Sequence, residues 1–355
     1  MPVPVNVEEF EAIAREKMPA ASYDYYAGAA EDEITLRDNR EAFRRLRIAF
    51  RVLVDVAERD MRTSILGVPM SSPVILAPTA MHRMAHDEGE RATARAAEST
   101  ETLMCLSSIS SVAMEEVAAC APKGRRWFQL YHMGDKRKTE SLVRRAQESG
   151  YEAIVVTVDT PVLGRRERDL RHPQVIPDGV TAVHFAPEPD ARRAPDEERQ
   201  IGNFINQPFL TWNDLAWLRS LTDLPLIPKG VVRADDAKRC IDEGMAGIWI
   251  SNHGGRQLDT SIATADALPS VARAVAGQVP VIVDGGIRRG TDVVKALALG
   301  ADAVAIGRPQ LWGLAADGES GVRAVLTLLR NELSMAMALA GCKNLAEIDE
   351  SLLAM

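Results

Sequence analysis

Short apolar runs, rich in β-branched and aromatic side chains and closed by Gly, Pro or polar residues, recur along the chain, each followed by a stretch with helical spacing. Eight stand out: PVILAPTA from Pro73, TLMCLSS from Thr102, RWFQLY from Arg126, AIVVTVD from Ala153, LPLIPKG from Leu224, GIWISNH from Gly247, VPVIVDGG from Val279 and DAVAIGRP from Asp302. Between them lie amphipathic segments such as EGERATARAAEST, ESLVRRAQESG, ADDAKRCIDEG and TDVVKALALGA. The last three end at or near Gly, where helices commonly stop. Strands apolar on both faces and separated by helices imply a parallel sheet covered by helices. Eight such units in about 250 residues predict an α/β fold of the closed (β/α)8 TIM-barrel type. The alternative, an open doubly wound sheet, would want G-x-G-x-x-G after a strand, and that fingerprint does not occur.

Two regions fall outside the repeat. Residues 1–70 carry helical patterns around Val7 to Lys17 and Glu31 to Arg45, expected to cap the bottom or one side of a barrel spanning 71–355 in a single domain. The segment from Glu167 to Gln207, after the fourth strand, holds five prolines and a dense mix of charges. It is too long for a simple connector and reads as an active-site lid or an insertion.

Composition narrows the classes. With 355 residues, 46% hydrophobic and 26% charged, the chain is an ordinary globular protein with a large core. A formal charge of −8 argues against a general nucleic-acid binder. Cys105, Cys120, Cys240 and Cys342 lie far apart with no C-x-x-C pair, so neither a structural metal nor a disulfide framework is expected. No window approaches a membrane span, the first residues lack a signal-peptide pattern, and SLLAM is no peroxisomal address, so a cytoplasmic location is expected.

In barrels, chemistry gathers where strands end. Here the closing residues are polar: Thr79, Ser107 and Ser108, Gln129 and Tyr131, Thr157 and Asp159, Lys229, Ser251 with Asn252 and His253, and Asp284. In SNHGGRQLD, His253 ends a buried strand, two glycines allow a tight turn, and Arg256 follows. An imidazole can take a proton and a guanidinium can grip a carboxylate with two hydrogen bonds, which suits an anionic substrate that must lose a proton. Asp159 in TVDTPVLGRRERD is the natural partner of His253, and Arg165 or Arg166 could supply a second arm of the clamp. Alone, the same residues read as a backbone-satisfied histidine and a solvated charge run.

The last two strands close with DGGIRRG and IGRP. Exposed backbone N–H groups, a following helix N-terminus, Arg288 and Arg308 make a phosphate site of the kind barrels build there. Lys229 could stabilise negative charge developing on a bound ligand. Flavin mononucleotide fits the set, with its phosphate tail and a ring that becomes anionic on reduction.

From YDYYAGAAEDE (Tyr23 to Glu33) through APTAMHRMAH, LSSIS, WFQLY, TVDTPVLGRRE, PKG, SNHGGRQLD and DGGIRRGTDVVKALALGADAVAIGRP, the sequence resembles the FMN-dependent 2-hydroxy acid oxidases and dehydrogenases, glycolate and lactate oxidases among them. The resemblance implies that His253 is the base, Asp159 its partner, and Arg166 and Arg256 the carboxylate clamp. Tyr25 and Tyr131 are implied to hydrogen-bond substrate, and Lys229 to lie near the flavin pyrimidine edge. Thr79, Ala80, Ser107, Gln129, Thr157 and Ser251 would line the flavin, with Asp284, Gly286, Arg288, Gly307 and Arg308 toward ribityl and phosphate. Where plant glycolate oxidases carry a pocket-narrowing tryptophan after LSS, this chain has Ile109, which predicts lactate or longer (S)-2-hydroxy acids over glycolate. The resemblance further implies oxidation to 2-oxo acids with O2 reduced to hydrogen peroxide, and a homotetramer. Competing readings are a relative that passes electrons to a quinone or cytochrome, a non-oxidative FMN barrel such as an isomerase, and a flavin binder without turnover.

Overall fold

A computed structural model describes residues 4–132, 134–172, 175–185 and 210–354. The eight apolar runs form eight parallel strands, Val74–Leu76, Met104–Ser107, Arg126–Leu130, Ile154–Thr157, Leu226–Val231, Ile248–Ile250, Val281–Val283 and Ala303–Ile306. Each pairs with the next, as in Cys105 opposite Trp127 and Val155 opposite Ile227, and the eighth pairs with the first through Ala305 and Ile75, so the sheet closes.

Side chains alternate across each strand, so two cores form. Ile75, Cys105, Trp127, Val155, Ile227, Trp249 and Ile282 fill the barrel. Their neighbours Leu76, Leu106, Phe128, Val156, Ile250 and Val283 face the helical jacket. This double burial is why the strands read as continuous apolar runs. A short antiparallel ribbon, Thr63–Ile65 with Val68–Met70, adds Ile65, Val68 and Met70 to the interior core. Ser71 N–H donates to the Glu101 carbonyl just before the second strand, so this ribbon closes the end where the strands begin.

Of the N-terminal helices, one lies at a side of the barrel and two lie over its strand ends. Val7–Lys17 packs along the long helix Arg308–Ala340. Ala20–Ala27 and Ile34–Arg45 run over the face where the strands end, not the bottom. The cause is a set of polar contacts to the loop after strand six. Asp259 accepts from the N–H groups of Ile34 (3.2 Å) and Thr35 (2.8 Å), filling the open N-terminus of Ile34–Arg45, and Asn39 and Asn252 exchange amide hydrogen bonds of 2.9 and 2.8 Å.

Of the segment anticipated as a lid, Glu167–Leu170 forms one helical turn against Ala20–Ala27, where Arg168 pairs with Glu33 at 2.6 Å and His172 with Asp24 at 2.7 Å. Further on, Val183 N–H donates to the Ser110 carbonyl. Residues 173–174 and 186–207 lie outside the described residues.

Candidate functional site

The strand ends and the Ala20–Ala27 helix surround a cavity. Tyr25, Thr79, Ala80, Ser107, Ile109, Gln129, Tyr131, Thr157, Arg166, Lys229, His253, Arg256, Asp284, Gly286, Arg288, Gly307 and Arg308 all line it. Asp159 and Ser251 stand behind that wall as partners of lining residues. The strand closers Ser108 and Asn252 turn to structural work, the first accepting from the Tyr131 N–H at 3.3 Å and the second holding Asn39.

His253 Nδ1 lies 2.9 Å from Asp159 Oδ1, while its Nε2 lies 3.5 Å from the Tyr131 hydroxyl. An ionised Asp159 accepts from Nδ1–H, which leaves the Nε2 lone pair free. The electrostatics agree. Burial pushes the Asp159 carboxyl up, but His253, Lys229 and the Thr160 hydroxyl outweigh it and hold it below its ordinary range. Burial pushes His253 down, and Lys229 and Arg166 add to that against the pull of Asp159, so the ring is neutral and able to take a proton. Burial, with the Asp159 charge, raises the Tyr131 phenol far above its usual value and keeps it a donor.

Two guanidiniums share this wall. Arg166 is buried, pushed down to about 10 by burial and then by the like charge of Arg256, whereas Arg165 is exposed beside Glu167. Arg166 Nε donates to the Arg256 carbonyl at 3.2 Å, and Arg256 donates to the Tyr25 and Gly28 carbonyls at 2.5 and 2.9 Å, its guanidinium 4.7 Å from the Tyr25 ring centre. A buried Arg166 and a half-buried Arg256 that repel each other favour an anion between them. Gln257, a residue with no role assigned from sequence, ties the two loops together. Its oxygen accepts from Gly164 N–H and Arg166, and its amide donates to the Asp159 and Val162 carbonyls.

The floor is a polar network. Gln129 accepts from Ser107 at 3.0 Å and donates to Thr157 at 2.9 Å. Ser251 accepts from Lys229 at 3.1 Å and donates to Asp284 at 2.8 Å, while Asp284 also accepts from Trp249 at 2.9 Å and lies 3.6 Å from Lys229. Trp249 and Tyr26 were not foreseen. Tyr26 adjoins Tyr25 in YDYY, and its hydroxyl donates to the Ala80 and Met81 carbonyls at 2.9 and 2.6 Å.

At the far end the anion site differs from the expectation in one element. The helix Gly290–Ala298 does not offer its N-terminus, because Asp292 accepts from Arg288 and Arg289 N–H and Glu332 accepts from Gly290 N–H. The cations are the side chains of Arg288, with a buried, unpartnered Nε, and Arg308. Burial pushes them down to about 10 and about 9, and the charge of Arg288 adds to the shift of Arg308. Gly286 is needed for packing as much as for the ligand, since a Cβ there would stand 2.1 Å from the Asn39 carbonyl oxygen.

An α/β barrel with a polar, arginine-lined cavity at its strand ends defines a cofactor-dependent enzyme scaffold. The family model described as FMN-dependent dehydrogenase matches residues 14–355. Glycolate oxidase 5 of Oryza sativa subsp. japonica is 49% identical, over 97% of this chain and 94% of its own, and L-lactate oxidase of a Nostoc species is 48% identical over 99% and 98%. A crystal structure of mandelate oxidase superposes with a TM-score of 0.91 at 40% identity, covering 99% of this chain and 98% of the other. The chain belongs to the FMN-dependent dehydrogenase family, within its 2-hydroxy acid oxidases, and FMN is its cofactor. The cavity fits that group: an unpartnered nitrogen of Arg288 and the half-buried Arg308 suit a phosphate, and the Ser107, Gln129, Thr157 and Lys229 floor suits a polar ring edge.

Proposed function

We propose that the enzyme oxidises (S)-2-hydroxy acids to 2-oxo acids, with lactate or longer substrates preferred over glycolate and O2 as the final acceptor. The observation that carries this reading is the convergence of a neutral, aspartate-oriented imidazole and two guanidiniums, Arg166 buried and Arg256 half-buried, on one cavity. Arg166 and Arg256 hold the substrate carboxylate, Tyr25 and Tyr131 bond its oxygens, and His253 Nε2 takes a proton as the α-carbon is oxidised. Asp159 stabilises the imidazolium so formed. When bound, FMN would supply the two-electron acceptor for the oxidation at the α-carbon and the reactivity toward O2 that gives hydrogen peroxide. Thr79, Ala80, Ser107, Gln129, Thr157, Lys229, Ser251 and Asp284 would hold or support the ring and ribityl portions, with Gly286, Arg288, Gly307 and Arg308 at the phosphate.

Ile109, buried in the cavity wall, leaves more room beside the substrate α-carbon than an indole would, which supports the preference for a substituted α-carbon. The test is anaerobic mixing of the yellow protein with glycolate, L-lactate, 2-hydroxyoctanoate and mandelate, followed by air. Bleaching by L-lactate, with recovery and peroxide in air, is expected. A spectrum unchanged by every acid would overturn the reading, a glycolate preference would remove the substrate assignment, and failure to recover in air would point to a quinone or cytochrome acceptor. A homotetramer in the cytoplasm completes the proposal, checked by light scattering and cell fractionation.

A further inference from the structure

Behind the cavity wall formed by Thr79 lies a buried histidine that the proposed chemistry does not use. His82 is 2% exposed, its Nε2 lies 2.6 Å from Thr79 Oγ1, and its Nδ1 lies 2.9 Å from Thr93 Oγ1. Gln310 Nε2 also donates to Thr79 Oγ1, at 3.3 Å, and its other acceptors, the Ala77 and Ile306 carbonyls, fix that end of the amide as the nitrogen. The Thr79 hydroxyl thus has a donor on one side, an imidazole on another and the cavity on a third.

We propose that His82 is a positioning residue that accepts the hydrogen bond donated by the Thr79 hydroxyl and so turns a lone pair of Thr79 toward the FMN as an acceptor. A hydroxyl has one proton and two lone pairs. If Nε2 carried a hydrogen, His82 and Gln310 would fill both lone pairs and the Thr79 proton would face the cavity as a donor. If Nε2 is bare, the proton goes to His82 and one lone pair faces the cavity. The partners of Thr93 select the second arrangement. A Thr93 hydroxyl that donates elsewhere accepts from Nδ1–H, which leaves Nε2 bare. Thr93 can then pass its own proton to the Gly89 carbonyl, 3.5 Å away in the preceding helical turn. Glu90 leaves the ring bonds undisturbed, because it is engaged by His82 N–H and by both the N–H and the hydroxyl of Ser111. Burial lowers the imidazole and outweighs the Glu90 charge and the backbone hydrogen bond to Thr79 that raise it, so the ring is neutral with one nitrogen bare.

The inference rests on the placement of Thr79 against FMN but not on the identity of the hydroxy acid. FMN dissociation constants from fluorescence quenching, the absorption spectrum of the bound flavin and its midpoint potential are measured for wild type, Thr79→Val, His82→Phe, His82→Gln and the Thr79→Val/His82→Phe double variant. Thr79→Val and His82→Phe are each expected to weaken FMN about threefold to tenfold with the same spectral displacement, the scale of one hydrogen bond. The double variant should be no weaker than Thr79→Val alone. His82→Gln, whose carbonyl can accept the same proton, should restore binding, and it keeps the test open should His82→Phe fail to fold. Additive effects of the two single changes, or a Thr79→Val or His82→Gln protein that contradicts these shifts, would overturn the proposal. No hydroxy acid enters these measurements, so failure of the substrate reading would show separately, in the bleaching experiment.

Discussion

His253 holds a φ of 58°, a left-handed conformation that costs a non-glycine residue about 1–3 kcal/mol and persists only where its surroundings over-determine it. Here its N–H donates to Ser251, its Nδ1 faces Asp159, and Gly254 and Gly255 continue the turn at φ 64° and 78°. The strain is therefore spent on aiming one ring nitrogen into the cavity. Replacing His253 by Gln should cut kcat about 10²–10⁴-fold, the usual contribution of a general base, while FMN absorbance and affinity stay near wild type. With His253 as the proposed base, the acid limb of the kcat/KM profile should report its protonation. Because burial holds His253 below the ordinary histidine range, activity should be level at neutral pH and fall only below that range. Asp159→Asn removes the charge that pulls the ring upward, so the limb should move to lower pH while the plateau rate drops, checked by the same pH–rate series. Gly230 belongs here too, since it has φ 114° and a Cβ on it would stand 2.5 Å from Asp159 Cβ. Gly230→Ala should lose activity through displacement of Asp159, seen as a lower kcat with KM for the hydroxy acid less affected.

At the scale of elements, the loop after strand six works in two directions, presenting His253 and Arg256 inward and Asp259 outward to the start of Ile34–Arg45. Asp259→Ala should cost about 1–2 kcal/mol of stability, the worth of a helix N-cap with its charge, read by denaturant unfolding. It should also raise KM, because the same helical region carries Tyr25 toward the site. The strands and the lining side chains were legible because each strand is buried on both faces and ends in polar residues, a signal local to about eight positions. The helix Ala20–Ala27 was not, because AASYDYYA has no apolar stripe and is buried by neighbours far along the chain. Gln257, Trp249 and Asn39 escaped for a related reason: a bridging amide, an indole donor and a paired asparagine declare their partners only once the loops meet. The blocked N-terminus of Gly290–Ala298 depends on Glu332, which lies 42 residues away.

For the whole molecule, the cavity concentrates buried positive charge that FMN and the substrate carboxylate would neutralise, so cofactor and stability should be linked. Free FMN at about a hundred times its dissociation constant should stabilise the protein by about 2.7 kcal/mol, visible as a higher Tm in calorimetry. Arg288→Met and Arg308→Met should differ in an instructive way. The first guanidinium keeps a free nitrogen, so its loss should weaken FMN with little change in the apoprotein Tm. The second donates to the carbonyls of Tyr26, Gly28 and Gly254, so its loss should lower both.

The packing of Val7–Lys17 along Arg308–Ala340 bears on how the enzyme comes into being. The segment that brings Tyr25 to the site leaves the ribosome early, yet its docking surface is among the last parts to emerge. Once Arg256 has been made, a nascent chain can thus hold its proposed clamp and base without a closed chamber around them, and the chamber closes only when the two ends find each other.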